Sequence, residues 1–202
     1  MSKPTHDVAV IGGGLAGLST ANRAAELGLS AIVLEQGRDA QYFCNSRLAG
    51  GLVHVAFKDM TAPMAERRDA VQRLGADDPT THLARLLAED SQRALEWLKG
   101  EGARFIKGGP LEFMRWVLAP PRPRRPGLDW RGRGPDVLLR QLETNLEKRG
   151  GILRRATSGH PLTRLREATS GHPLTRLTRL LPRPRFRRDP DLSGTRFGTS
   201  TE

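Results

Sequence analysis

Cysteine is almost absent: Cys44 is the only one in 202 residues. No intramolecular disulfide can form and no cysteine-rich metal site exists, which fits a reducing compartment. Long apolar runs are missing too. No stretch approaches the ~20 residues that a membrane-crossing helix needs. Met1-Ser2-Lys3-Pro4-Thr5-His6 carries no signal-peptide core before the first apolar run. A cytoplasmic protein without a membrane span is therefore expected. Acids are scarce at one end only. From residue 151 onward there are eleven Arg against four acids, so most of the net charge of +11 lies in the last quarter. A pI near 11.1 would by itself suggest nucleic acid or an anionic membrane as partner. Its location argues against that, because the chain's most informative stretch lies elsewhere.

That stretch is residues 7–35. Val8-Ala9-Val10-Ile11 is short, apolar and rich in β-branched residues, as in a strand buried on both faces of a parallel sheet. Gly12-Gly13-Gly14-Leu15-Ala16-Gly17 follows at once. In this pattern Gly12 permits a tight turn, Gly14 lets the backbone approach a diphosphate, and Gly17 lets the helix pack against the strand. Leu18, Ala21, Ala24, Ala25 and Leu27 mark a small, apolar helix face, and Gly28 suits a left-handed helix end. A second apolar run, Ala31-Ile32-Val33-Leu34, closes on Glu35, 23 positions after Gly12. An acid there can accept both ribose hydroxyls of a dinucleotide, while the helix N-terminus favours its phosphates. Strand, glycines, helix, second strand and terminal acid all fall at the expected offsets. The expected fold is α/β: a Rossmann-like βαβ domain with a parallel sheet and an irregular basic C-terminal tail.

Farther on, Asn45-Ser46-Arg47-Leu48-Ala49-Gly50-Gly51 supplies side-chain donors and a glycine pair, a composition suited to a ligand loop or to an ordinary turn. The glycine motif, Glu35 and this segment together resemble the fumarate reductase/succinate dehydrogenase flavoprotein family, and FAD-dependent oxidoreductases more broadly. The resemblance implies FAD as cofactor. It implies that Gly12, Gly13, Gly14, Ala16 and Gly17 meet the diphosphate and that Glu35 holds the adenosine ribose. It implies that Asn45, Ser46, Gly50 and Gly51 run along the diphosphate and flavin ring. The implied reaction moves a hydride between FAD and a carbon–carbon bond beside a carboxylate or carbonyl, so a small carboxylate or carbonyl compound is the implied substrate. Some relatives join a histidine covalently to the flavin shortly before the glycine pair. Cys44 or Asn45 stands there in this chain, so non-covalent FAD is expected. Cys44 otherwise reads as a small buried residue, and His54, between Val53 and Val55, as a structural histidine in a strand-like run.

Residues 58–81 read as polar loop with a helix over 64–74, and residues 83–98 show helical periodicity, with Thr80 or Thr81 as cap and Trp97 as core. Residues 103–106 read as a short strand. Residues 96–105 again resemble the flavoprotein family, where its chain leaves the FAD domain. Residues 108–134 are rich in Pro, Arg and Gly and read as an extended loop with a basic strip at 120–126. A helix starting at Pro135, with Val137, Leu138, Leu142 and Leu146 as its stripe, ends at Gly150-Gly151. A strand at Ile152-Leu153 follows, where the resemblance stops. The FAD-binding domain is thus expected over residues 1–155.

Residues 156–165 recur unchanged as 168–177, and the remainder is rich in Arg and Pro. Two copies are too few for a stacked repeat, and residues 156–202 read as a disordered tail. His160 and His172 lie in the repeat and are not expected to bind metal. Nothing matches the portion of fumarate reductases that carries the arginine proton donor and substrate-carboxylate ligands. Arg115, Arg131 and Arg133 accordingly receive no role, and no catalytic residue is assigned. Two alternatives stand beside the oxidoreductase: a shortened, non-catalytic flavoprotein, and a module whose basic tail contacts nucleic acid or an acidic partner.

Overall fold

A computed structural model of the chain describes residues 5–74, 82–121 and 130–157. These lie in the first of two units, Met1–Gly159 and His160–Glu202. The expectations for the Thr80/Thr81 cap, most of the 120–126 strip, the duplicated segment, His160, His172 and the tail fall outside the described residues.

The chain begins with β1 (Val8–Ile11), α1 (Leu15–Glu26) and β2 (Ala31–Leu34). After a short α2 (Asn45–Leu48) come α3 (Met64–Leu74) and α4 (His82–Gly100). Two-residue strands β3 (Phe105–Ile106) and β4 (Val117–Leu118) pair antiparallel. The described part closes with α5 (Gly134–Lys148) and β5 (Ile152–Arg154). The main sheet is parallel, in the order β1-β2-β5. Val8 stands opposite Ala31 and Ile11 opposite Leu34, while Ile32 stands opposite Ile152.

Strand periodicity divides this sheet into two unlike faces. Val8, Val10, Ala31, Val33 and Leu153 point to one side, where they meet Leu18, Ala21 and Ala24 of α1 and Leu138, Leu139, Leu142 and Leu146 of α5. Ala9, Ile11, Ile32, Leu34 and Ile152 alternate to the other. There Ile11 is 49% and Ile152 41% exposed. The expectation that β1 is buried on both faces is therefore corrected. Both crossing helices pack on one side; on the other, Ile32 of the central strand is buried while Ile11 and Ile152 on the flanking strands stay exposed. A smaller core gathers Val55, Met60 and Leu95 with Val71, Phe105 and Trp116.

Polar contacts lock the helices together. Asn22 of α1 is fully buried and its Nδ2 donates to the Leu142 carbonyl of α5 at 2.9 Å. Glu101, just past α4, accepts from both terminal nitrogens of Arg149 at 2.7 and 2.8 Å and from Asn145 at 2.7 Å. Trp97 Nε1 donates to Glu26 at 3.1 Å, and Arg149 pairs with Glu26 at 3.2 Å. Burial opposes ionisation at Glu26. Hydrogen bonds from Arg23 and Trp97, with the Arg149 charge, outweigh it and hold the carboxyl below its ordinary range.

Several local expectations change. Residues 45–48 form a helix rather than a loop. Residues 52–57 make only isolated bridges, Leu52 to Val117 and Val55 to Lys58. The 108–134 segment contains β4 and a 3-10 turn, Glu112–Met114. Strand-forming Val117-Leu118 is too short to stand out from its Pro- and Arg-rich surroundings. In α5 the buried stripe takes Leu139 rather than Val137, which is 38% exposed. Leu27 is exposed as well, because α1 ends at Glu26, while Gly28 adopts the expected left-handed φ of 79°.

Leu142 lies at the centre of the main core and is wholly buried. Leu142→Ala removes its packing against α1 and leaves a cavity there. The expected cost is about 2–5 kcal/mol, read from the shift of a urea unfolding curve.

Candidate functional site

The site is built on the turn between β1 and α1. Gly12 carries a φ of 95°, outside the range that side chains favour. Its N–H still completes the sheet by donating to the Leu34 carbonyl at 2.8 Å. Nothing lies within 4 Å of where a Gly12 side chain would begin, so the outer side of the turn is open. A β-carbon on Gly17 would overlap the Gly12 carbonyl oxygen and crowd Val10. The last glycine of the motif therefore allows the helix to press against the strand. Gly14 caps α1 without help from its own side chain, and Ser46 Oγ of α2 accepts the Leu15 N–H at 3.0 Å. The N–H groups of Ala16 and Gly17, in the first helical turn, have no carbonyl four residues back within the helix.

Glu35 follows β2 directly and is 5% exposed. One carboxylate oxygen accepts the Gly13 N–H at 2.7 Å and the other the Gly37 N–H at 2.7 Å. These bonds tie the end of β2 to the glycine turn and keep the acid beside it. Each oxygen retains acceptor capacity beyond its one backbone bond. Past β5, the Thr157 N–H donates to the Glu35 carbonyl and the Ala156 N–H to that of Gly37, both at 3.0 Å. All three strands of the sheet thus bring chain to one place.

Tyr42 fills the inner side of the turn. Its hydroxyl donates to the Gly13 carbonyl at 2.5 Å, and its ring is buried. Burial is the main reason its phenol titrates well above the ordinary tyrosine range, and the Glu143 charge adds to it. The Arg47 guanidinium lies 4.6 Å from the centre of that ring and 5.8 Å from Trp130. Arg47 is itself buried and ion-pairs with Asp136 and, at 2.8 Å, with Glu143, both on α5. Asp136 further accepts from Gln41 at 3.1 Å and from the Gly132 N–H at 2.7 Å. Arg155 completes Glu143 at 2.8 Å. A cleft of about 700 Å³ opens beside this network, with Arg131, Arg140 and Arg155 set against Asp39, Glu143 and Glu147. Its balanced charge makes it no site for a bare anion.

Of the residues singled out in the sequence, Gly12, Gly13, Gly14, Gly17, Glu35 and Ser46 come together. Ala16 is exposed in the first turn of α1, and Asn45 is exposed at the start of α2. Gly51, with φ 82°, turns toward β4 and α5, where its carbonyl accepts the Leu118 N–H at 2.9 Å and Pro135 lies against it. Gly50 beside it is exposed. Cys44 is half-buried at the N-terminus of α2. His54 has a structural setting: its Nδ1 accepts the Phe57 N–H at 3.2 Å and its ring stacks on Phe57. Arg115 pairs with Asp59 at 3.4 Å and Arg131 lies over Trp130.

Sequence reasoning missed Tyr42, Asp136 and Glu143, and quoted Arg47 without a role. A signal existed for the two acids. Asp136 and Glu143 are seven apart, which places them on one side of a helix beside the leucine stripe, where solvated carboxylates are out of place.

The surroundings of the turn fit a dinucleotide: an open outer side, the N–H groups of a helix start, and a buried carboxylate with acceptor capacity to spare. Similarity to known proteins agrees. The chain is 32% identical over 93 residues to a subunit of the anaerobic glycerol-3-phosphate dehydrogenase of Aliivibrio fischeri, a match that takes in 46% of this chain and 20% of that protein. To the corresponding Vibrio cholerae protein it is 30% identical over 101 residues, with 46% and 21% covered. The chain thus spans about a fifth of the length of these relatives. Among solved structures, a 3-ketosteroid-Δ4-(5α)-dehydrogenase from Rhodococcus jostii superimposes with a TM-score of 0.54 at 19% identity, over 75% of this chain and 38% of that one. A flavocytochrome c3 fumarate reductase in its open conformation gives 0.53 at 20% identity, over 76% and 27%. Mycobacterium smegmatis Sdh1 in complex with UQ1 also gives 0.53 at 20% identity, over 78% and 28%. At such identities these structures establish the fold, a Rossmann-like α/β domain. Among the described residues no helix is long and apolar enough to cross a membrane. The family model of an FAD binding domain matches residues 7–180, most of the chain, and the protein belongs to that flavoprotein family, with FAD as its cofactor.

Proposed function

We propose that the chain forms the ADP-anchoring part of an FAD-dependent oxidoreductase that acts on a carbon–carbon bond beside a carboxylate or carbonyl. Gly12, Gly13, Gly14, Ala16 and Gly17 hold the diphosphate, and Glu35 accepts the ribose hydroxyls. Asn45, Ser46, Gly50 and Gly51 lie along the diphosphate and the flavin. The attachment is non-covalent, since Cys44 and Asn45 stand where covalent relatives have histidine. Bound FAD supplies the hydride acceptor or donor. The chain's own work is to bind and orient: the helix start carries partial positive charge for the diphosphate, and the buried carboxylate sets the sugar's position. The observation that carries this reading is Glu35, buried at the end of β2 and bonded to the Gly13 N–H. The reaction class is supported by the family and by structural neighbours that include a fumarate reductase and a steroid dehydrogenase.

A second reading, a protein that binds FAD without turning over a substrate, is favoured by one observation. On one sheet face Ile11 and Ile152, large apolar residues of the flanking strands, are 49% and 41% exposed. An absorbance spectrum of the purified protein tests the main reading. Flavin bands at one flavin per chain, released on denaturation, are expected, together with bleaching by a saturated carboxylate as hydride donor or, after chemical reduction of the flavin, recolouring by an unsaturated carboxylate as hydride acceptor. Bound flavin that no such compound bleaches or, once reduced, recolours favours the second reading. Colourless protein that takes up no added FAD overturns both.

A further inference from the structure

We infer that Tyr42 is a positioning residue for the diphosphate: by holding the Gly13 carbonyl it aims the Gly14 N–H at the ligand. The inference rests on the FAD site proposed above and adds a residue that no glycine motif contains.

The Gly13 carbonyl and the Gly14 N–H belong to a single planar trans peptide, so they point in opposite directions. Tyr42 Oη takes the carbonyl side at 2.5 Å. The Gly14 N–H is thereby turned away from Tyr42, and it finds no partner among the described residues. A glycine peptide without this anchor has more freedom to rotate than any other, because both flanking residues lack a β-carbon. The preceding peptide is already held from its other end, with the Gly13 N–H on Glu35. Tyr42 and Glu35 together therefore fix Gly13 on both sides.

Tyr42 is well suited to this task. A β-carbon on Gly13 would fall 2.5 Å from the Tyr42 oxygen, so the bare glycine is what admits the phenol. The ring itself is held by the Arg47 guanidinium at 4.6 Å, and Arg47 is held in turn by Asp136 and Glu143 of α5. Like any tyrosine, the phenol is protonated throughout the neutral range, and burial raises its titration further, so it remains a donor. The line from α5 through Arg47 and Tyr42 to Gly13 gives the turn a rigid backing on the side away from the ligand.

The experiment compares ADP with adenosine, by calorimetry or equilibrium dialysis, on wild type, Tyr42→Phe and Glu35→Ala. Phenylalanine keeps the ring and its stack on Arg47 and removes only the hydrogen bond. Tyr42→Phe is expected to weaken ADP about 5- to 10-fold, the scale of one hydrogen bond, and to leave adenosine unchanged. Glu35→Ala is expected to weaken both. A purely structural role for Tyr42 would weaken both ligands alike, and that result overturns the inference, as does unchanged ADP affinity. If wild type binds ADP no better than Glu35→Ala, the site reading itself fails. A second measurement needs no destabilising variant. Tyr42 is the only tyrosine in the chain, so 3-fluorotyrosine labelling gives a single fluorine resonance. Its shift is expected to move with ADP and not with adenosine, and a resonance indifferent to ADP counts against the inference.

Discussion

Glu35→Ala should reduce FAD affinity about 100-fold or more. Two groups of interactions are lost together. The ribose loses a charged acceptor, and hydrogen bonds to charged groups contribute about 1.5–3 kcal/mol each. The backbone N–H groups of Gly13 and Gly37 lose their shared acceptor; the Gly13 group is buried and costs about 1–3 kcal/mol when left unsatisfied, while the part-buried Gly37 group can turn to water. Some of that second loss appears as lower stability and some as a looser turn, so both quantities must be measured. Glu35→Gln serves as a control on shape. Its amide has one oxygen for two N–H groups, so one of them would face an NH2. It should therefore fall nearer to Ala than to wild type. Fluorescence quenching of added FAD, with urea unfolding of the same samples, decides the matter. Unchanged affinity in Glu35→Ala would remove the ground for placing the ribose there.

A large effect on stability is also expected at Arg47. Its guanidinium is buried between the Tyr42 ring and two carboxylates of α5, and those carboxylates are almost fully buried too. Arg47→Met keeps much of the apolar contact with Tyr42 and Trp130 but strands Asp136 and Glu143. Breaking a buried ion pair from one side costs about 3–5 kcal/mol, because a charge is left without compensation in a poorly solvated place. Arg155 and Arg140 still face the two acids, which argues for the lower half of that range. Lysine should rescue only in part. It restores charge at one point but cannot address two carboxylates with a planar fork or stack on the ring in the same way. Equilibrium unfolding in urea gives these differences directly. A loss below about 1 kcal/mol in Arg47→Met, typical of an exposed pair, would mean that the network is solvated.

The β1-α1-β2 unit was legible because each of its parts answers to a local rule. A glycine must stand where φ is positive at residue 12, and another where the helix meets the Gly12 carbonyl at residue 17. An apolar run must end where Glu35 meets the turn. The long helices were legible as helices, but the period read over 83–98 took in Leu83 and Leu87, which are 72% and 59% exposed, while Ala88 and Leu95 are buried. The Arg47 network was hidden for the opposite reason. Its members are 89 and 96 positions apart along the chain, and only tertiary packing turns a surface-type residue into a buried one. Tyr42 was hidden because a lone aromatic in a polar connection carries no periodicity. The two-sided burial expected of β1 failed because composition reports how apolar a strand is. It does not report how many layers the described chain places over it.

The distance in sequence between α1 and its partner has a consequence for how the protein is made. Asn22 bonds to a carbonyl 120 positions later, and Leu18 and Ala21 are buried against the same late helix. A ribosome adding roughly 5–20 residues per second takes on the order of ten seconds to deliver α5 after α1 has emerged. During that interval the nucleotide-binding turn can form locally while the apolar flank behind it waits, and it is then that a chaperone would find the nascent chain.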